Sequence, residues 1–202
     1  KHGHLVLLAE SDEGYRNLIK IVSRGYTEGF YYKPRVDNEL LRQFSKGIIA
    51  TSACLAGRVQ QELLNGNYEG AKREALEYED IFGKNNFFLE IQDQGLEEEK
   101  TINPLLKKLS KETGIGLVAT NDVHYINKED SEFHDILLCI QTGSFVADTD
   151  RMRFPNSEFY LKSEKEMRRI FPDIPEAIDN THKIAERCNM EFDFDHQHLP
   201  EF

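Results

Sequence analysis

An aspartate and a histidine stand two positions apart, directly after an apolar run that should form a strand. Asp122 and His124 follow residues 117–120, and side chains two apart in an extended backbone point to the same side. They can therefore converge on one metal ion at the carboxyl end of the strand, where parallel α/β folds build their sites. The alternative is that Asp122 caps a turn and that His124 packs against its neighbours.

Two more potential ligands stand at the ends of other apolar runs. Cys54 follows residues 47–51 in a turn of small residues, which suits a thiolate ligand, although an ordinary buried cysteine is the more frequent case. His4 opens the first apolar run and can face the same site. Mixed His, Cys and Asp ligands suit Zn²⁺, with Mn²⁺ or Fe²⁺ as alternatives. Two or three such ions would activate water for phosphoester hydrolysis.

Two carboxylates, Glu90 and Asp93, stand at the end of the third apolar run. They either bind the metal or accept hydrogen bonds that orient its ligands. The alternative is that both carboxylates cap turns and helices. The remaining histidines and cysteines stay outside this set: we assign Cys139 and Cys188 to the core, expect His134 to be partly buried, and expect His182, His196 and His198 to be exposed.

The elements that must position these residues are short apolar strands alternating with amphipathic helices. Such a pattern indicates a parallel sheet covered by helices, either an open doubly wound sheet or a barrel. No glycine-rich phosphate loop follows a strand, so a nucleotide-binding fold lacks support. The predicted strands are residues 5–9, 47–51, 87–91 and 117–120, with a possible short strand at 159–161. The predicted helices are residues 12–24, 38–44, 57–64, 68–82, one around 102–109 ended by Gly114, and then 133–140, 163–170 and 175–188.

Charge and cysteine content narrow the classes of function. The formal net charge is −11, from 25 basic and 36 acidic residues. A phosphate backbone should therefore repel the chain unless its basic residues cluster. We expect the short basic clusters at 151–153 and 165–169 to be solvated. Three widely spaced cysteines indicate reduced thiols in a cytoplasmic protein, and no apolar run has the length of a membrane span.

Several longer strings of sequence are specific enough to indicate a family. They are residues 29–35 (GFYYKPR), the turn at 52–57, and residues 88–93, 118–125, 138–143, 151–155, 158–162 and 198–200. Together they resemble the polymerase-and-histidinol-phosphatase (PHP) domain of bacterial DNA polymerase III alpha subunits. The resemblance covers essentially the whole chain.

This resemblance implies a parallel-strand (β/α)7 barrel with a metal cluster at its mouth, incomplete here because its first strands are missing. The family's late ligands fall on His4, Cys54, Asp122 and His124, whereas its early ligands precede this chain. His2 and His4 are not the family's first H-x-H motif, since an apolar run follows them. We therefore expect residues 1–202 to form one domain fragment, with the barrel portion at 1–147 and a part leading towards the polymerase core at 148–202.

The resemblance also implies a function, that of a Mg²⁺-dependent DNA polymerase in chromosome replication, with DNA and other replisome subunits as partners. Its PHP domain would either proofread as a 3′–5′ exonuclease or bind a separate exonuclease subunit. We expect the fragment alone to be inactive and to bind DNA weakly. The alternatives are a stand-alone PHP phosphatase and a purely structural interaction module.

Overall fold

A computed structural model describes residues 2–195, so the prediction for His196 and His198 lies outside the described residues. Its four strands form one sheet in the order β1-β2-β3-β4, and β2, β3 and β4 run parallel to one another. This confirms the α/β class. The strands are β1 (Val6–Ala9), β2 (Ile48–Thr51), β3 (Phe87–Ile91) and β4 (Leu117–Ala119).

The first strand departs from the prediction because it runs antiparallel to β2, from the pair Val6–Thr51 to the pair Ala9–Ile48. An apolar run reports burial and not direction, so the sequence pattern could not reveal this reversal. β1 is also an edge strand with one neighbour in the described sheet, which leaves Val6 42% exposed instead of buried. The reversal places the start of β1 beside the carboxyl end of β2.

Within residues 2–195, eight α-helices and one 3-10 turn, Lys128–Asp130, accompany the sheet. Two predicted ends are confirmed: Ser11 Oγ accepts from Gly14 N at 3.3 Å, and Gly114 ends a helix at φ 79°. Residues 159–161 contribute a single bridge between Tyr125 and Tyr160 instead of a strand. No helix in the described part of the chain has the length and apolar character needed to cross a membrane. The α-helices are α1 (Asp12–Thr27), α2 (Asn38–Phe44), α3 (Arg58–Leu64), α4 (Tyr68–Phe82), α5 (Glu97–Thr113), α6 (Ser131–Thr142), α7 (Glu164–Ile170) and α8 (Pro175–Arg187).

The two faces of the sheet pack against two separate clusters of buried side chains. Alternate residues of β3, such as Phe87 and Leu89, belong to the large core that the sheet shares with most of the helices. On the opposite face Phe88 packs with Ile184 of α8, and Cys188 lies half-buried beside them. The C-terminal part of the chain therefore covers the sheet.

One residue of the basic cluster at 151–153 is not solvated as we expected, whereas Met152 and Arg153 are exposed. The Arg151 side chain is 1% exposed and donates from both terminal nitrogens to Asp135 of α6, at 2.6 and 2.5 Å. Because a buried guanidinium requires such a partner, this pair fixes the segment after α6 against the helix. In the other cluster Arg168 pairs at the surface with Glu164 and Asp179.

Candidate functional site

A cleft of about 590 Å³ lies at the carboxyl ends of β2, β3 and β4. The antiparallel direction of β1 brings its first residues to the same place. Sequence reasoning expected a shared site at this end of the sheet, and most of the candidate ligands are found there. The lining includes His4, Cys54, Glu90, Gln92, Thr120 and Asp122.

His4 and Cys54 form the closest pair of predicted ligands that the structure records, with 3.8 Å between Cys54 Sγ and His4 Nδ1. The backbone holds them there, because His4 N donates to Ala56 O at 3.0 Å in the turn that carries Cys54. Burial raises the pKa of the Cys54 thiol, and the negative charges of Asp122 and Glu90 raise it further. The thiol is therefore protonated at neutral pH when no cation lies beside it.

Two residues of the cleft have a left-handed backbone conformation, which residues other than glycine rarely adopt. Ala53 has φ 62° and Asp122 has φ 44°, each in the turn directly after a strand. Such a conformation costs on the order of 1 kcal/mol or more and persists where the surrounding structure enforces it, often at functional sites. These turns aim residues 53–54 and 122 into the cleft instead of along the strands.

His124 does not join the lining, and its ring packs edge-on against Phe154 and His134, with ring centroids 4.7 and 5.4 Å away. Its Nδ1 lies 2.6 Å from the Asp122 carbonyl oxygen, which only accepts, so Nδ1 carries the proton. Burial and the neighbouring His124 lower the pKa of the half-buried His134. His124 is nevertheless exposed, and its assignment as a ligand stays a prediction.

The donors in the cleft do not make a complete metal site by themselves. Within residues 2–195 no group of three or more His, Cys, Asp or Glu side chains is placed to hold one ion. His4 and Cys54 offer two donors, so the described residues alone do not fit a bridged metal cluster. The assignment of His4, Cys54, Asp122 and His124 as ligands stays a prediction. Asp93 caps a turn instead, accepting from Gly95 N at 2.9 Å.

Glu90 is the centre of a buried hydrogen-bond network that ties three strands together. Its carboxylate accepts from the hydroxyls of Thr51, at the end of β2, and of Thr120, just after β4. Gln92 Nε2 donates to the same carboxylate at 3.1 Å and to Thr120 Oγ1 at 2.8 Å. Glu90 thus stabilises the floor of the cleft, and the role beside a metal that the sequence suggested for it stays a prediction.

Sequence reasoning missed the partners of Glu90 and the role of Asn121. The strand alternation could have found Thr51 and Thr120, since both fall on the Glu90 face of the sheet. Asn121 is buried and donates to the carbonyl oxygens of Glu158 and Tyr160, both at 2.8 Å. An asparagine that follows a buried strand is the only signal of this role, and it does not identify a partner 37 residues away.

The fold and the cleft together define an α/β domain with its polar side chains gathered at the strand ends. The PHP domain family model matches residues 1–94. The DNA polymerase III alpha subunit of Deinococcus radiodurans is 52% identical over 191 residues, which is 93% of this chain and 14% of that protein. The alpha subunits of Treponema pallidum and Borreliella burgdorferi are 50% and 45% identical over 94% and 92% of this chain, in each case 16% of the relative.

The chain is thus similar to the PHP domain over residues 1–94, and over nearly its whole length it is similar to a segment of DNA polymerase III alpha subunits. It spans 14–16% of the length of these relatives. The resemblance stated from the sequence strings is confirmed.

Proposed function

We propose that the chain serves DNA replication in the cytoplasm as part of a DNA polymerase III alpha subunit. The observation that carries this proposal is the 52% identity along 93% of the chain, which extends well past the residues matched by the PHP family model. DNA synthesis with Mg²⁺ would then be performed by regions of the subunit outside this chain. DNA and other replisome subunits would be the partners of the whole subunit.

Within that subunit we assign the cleft to the PHP metal site. Bond lengths of about 2.3 Å to sulfur and 2.1 Å to nitrogen separate two tetrahedral ligands of Zn²⁺ by about 3.6 Å. The 3.8 Å between Cys54 Sγ and His4 Nδ1 is close to this separation. Zn²⁺, Mn²⁺ or Fe²⁺ would supply Lewis acidity there once the complete domain adds its further ligands. We attribute no hydrolysis to this chain alone, and either proofreading or docking of an exonuclease subunit belongs to the complete domain.

Primer extension by the full-length protein that contains this chain tests the polymerase assignment. We expect template-dependent extension with Mg²⁺ and none without a divalent ion. Absence of any extension by the folded, full-length protein would overturn the proposal.

Metal analysis of the same full-length protein tests the assignment of the cleft. Cys54→Ser should lower the bound Zn²⁺, Mn²⁺ or Fe²⁺, whereas Cys188→Ser, at another free and half-buried cysteine, should retain the content of the wild type. Equal metal content in both variants would show that the metal site does not use Cys54.

A further inference from the structure

Positive charge is concentrated in one stretch of this acidic chain. Residues 15–36 contain five Lys and Arg residues and one Glu, a net charge of 5 − 1 = +4, whereas the whole chain carries −11. The other 180 residues therefore carry −15. The repulsion expected between the chain and a phosphate backbone does not extend to this stretch.

Three of the five cations lie along α1. Arg16, Lys20 and Arg24 are four residues apart, so they share one side of the helix. Lys20 and Arg24 both lie over the ring of Phe44, at 5.3 and 5.1 Å from its centroid. Arg24 also pairs with Glu28 at 3.7 Å, but both side chains are exposed and the pair is weak. These cations remain available to an incoming anion.

The other two cations lie in an aromatic loop, residues 29–36, that joins α1 to α2. Tyr31 N donates to Lys33 O at 3.1 Å, which makes a tight turn with Tyr32 at its tip, 82% exposed and at φ 59°. The Tyr31 and Tyr32 rings are 4.6 Å apart, and Arg35 lies 5.4 Å from the Tyr31 ring centroid. The loop thus presents two bare rings beside two cations.

The aromatic loop lies towards the end of the sheet that carries the cleft. Glu10 N donates to Gly47 O at 2.8 Å, and Gly14 contacts Gly47, so α1 starts at the opposite end. α1 packs back along β1 and β2. Its 16 residues span about 24 Å, longer than a four-residue strand of about 13 Å. The loop that follows α1 therefore projects beyond the strand ends.

We propose that the aromatic loop is a docking site for single-stranded nucleic acid, with bases on Tyr31 and Tyr32 and phosphates beside Lys33 and Arg35. Single-strand binding proteins combine these two features, exposed rings for stacking and cations along the backbone path. An apolar protein partner would match the rings but not the flanking positive charge. The negative charge elsewhere keeps the binding weak and sensitive to salt.

A tryptophan at the tip of the loop gives the most direct test, because the chain contains no tryptophan. In residues 1–202 carrying Tyr32→Trp, a thymidine oligonucleotide of about 12 nucleotides should quench the fluorescence at low salt. Phe145→Trp is the matched control, since Phe145 is 76% exposed and far from the loop in sequence. It should show no quenching. Equal quenching in both variants, or none in Tyr32→Trp, would overturn the proposal.

Anisotropy of the labelled oligonucleotide separates the two kinds of contact. Tyr31→Ala should weaken binding by about 5-fold to 150-fold, the range that corresponds to loss of one stacked base. The double variant Lys33→Gln and Arg35→Gln should reduce the slope of log affinity against log salt by about 1.4, or about 0.7 per phosphate contact. Lys165→Gln with Arg169→Gln, at two other exposed cations, should leave the slope unchanged. Unchanged affinity in Tyr31→Ala would exclude stacking on Tyr31 and overturn the proposal.

Discussion

The cleft and the aromatic loop lie towards the same end of the sheet but are built in opposite ways. In the cleft a buried carboxylate, Glu90, accepts from side chains at the ends of two neighbouring strands. In the loop the rings of Tyr31 and Tyr32 are exposed and one backbone turn holds them. Because of this difference, we expect substitutions in the cleft to act first on the stability of the fold. Substitutions in the loop should act on the binding of nucleic acid alone.

The largest effect on stability should come from Glu90→Ala. This change leaves the hydroxyls of Thr51 and Thr120 and the amide of Gln92 without their shared acceptor. We expect the free energy of unfolding to fall by about 3 kcal/mol, measured by urea titration of residues 1–202.

Glu90→Gln keeps the shape of the side chain and one acceptor oxygen, so the free energy of unfolding should fall less than in Glu90→Ala. The exposed Asp150→Ala serves as control and should stay within about 0.5 kcal/mol of the wild type. If Glu90→Ala proved as stable as Asp150→Ala, the hydrogen-bond network of Glu90 would not hold the strands together. The proposed difference in stability between the cleft and the aromatic loop would then be wrong.

A second, smaller loss should follow Ile184→Ala, because Ile184 of α8 is 5% exposed and packs with Ile49, Phe88 and Val118 on the face of the sheet opposite the large core. We expect the free energy of unfolding to fall by about 2 kcal/mol, because the variant loses buried apolar surface and leaves a cavity. Ile140→Ala, at an isoleucine of α6 that is 73% exposed, should change the stability by less than about 0.5 kcal/mol. Similar effects in the two variants, measured by thermal unfolding, would show that α8 does not cover the sheet.

Acid should weaken the start of α7 through Glu166. The hydroxyl and amide of Ser163 and the hydroxyl of Tyr160 donate to the Glu166 carboxylate and lower its pKa to about 2 from 4.5. A lowered folded-state pKa gives stability that is complete above about pH 4.5 and is lost as the pH falls towards 2. Glu166→Ala should therefore be less stable than the wild type at pH 7, with a difference that shrinks below pH 4.5 in urea titrations. A constant difference from pH 7 to pH 3 would contradict this.

The smallest effect on stability should be that of Tyr32→Gly in the aromatic loop. Glycine adopts the left-handed conformation at position 32 without strain. This stabilises the folded state and offsets the greater conformational entropy that glycine gives the unfolded chain. The free energy of unfolding should stay within about 0.5 kcal/mol of the wild type, although the stacking ring is gone. A loss above 1 kcal/mol would show that Tyr32 belongs to the packing of the fold.

The sequence allowed most of the elements to be placed, because apolar periodicity, Ser11 and Gly114 report burial and helix ends directly. It could not give the direction of β1, since the apolar run from Leu5 to Ala9 predicts a strand in either orientation. It also could not identify Arg151 as buried, because its partner Asp135 lies 16 residues away, in α6. Such pairings depend on tertiary packing.

In the candidate site, too, some features could be predicted from the sequence and others depend on tertiary packing. A strand-end position sufficed to predict that His4, Cys54 and Asp122 share one cleft. The extended spacing of Asp122 and His124 predicted that both face it, but Asp122 has a left-handed backbone, and the extended alternation ends there. His124 therefore packs against Phe154 instead. The aromatic loop was visible in the sequence as a family string, and only its exposure and charge separate it from a packed segment.

Amide hydrogen exchange of residues 1–202, with and without a thymidine oligonucleotide at low salt, tests the comparison between the cleft and the aromatic loop most directly. We predict that protection on binding is confined to the C-terminal end of α1 and the aromatic loop, at residues 24–36, while the turns at 52–57 and 120–124 exchange at unchanged rates. Protection of the cleft turns with an unchanged loop would contradict the account, because the cleft and not the loop would then be the surface that contacts nucleic acid.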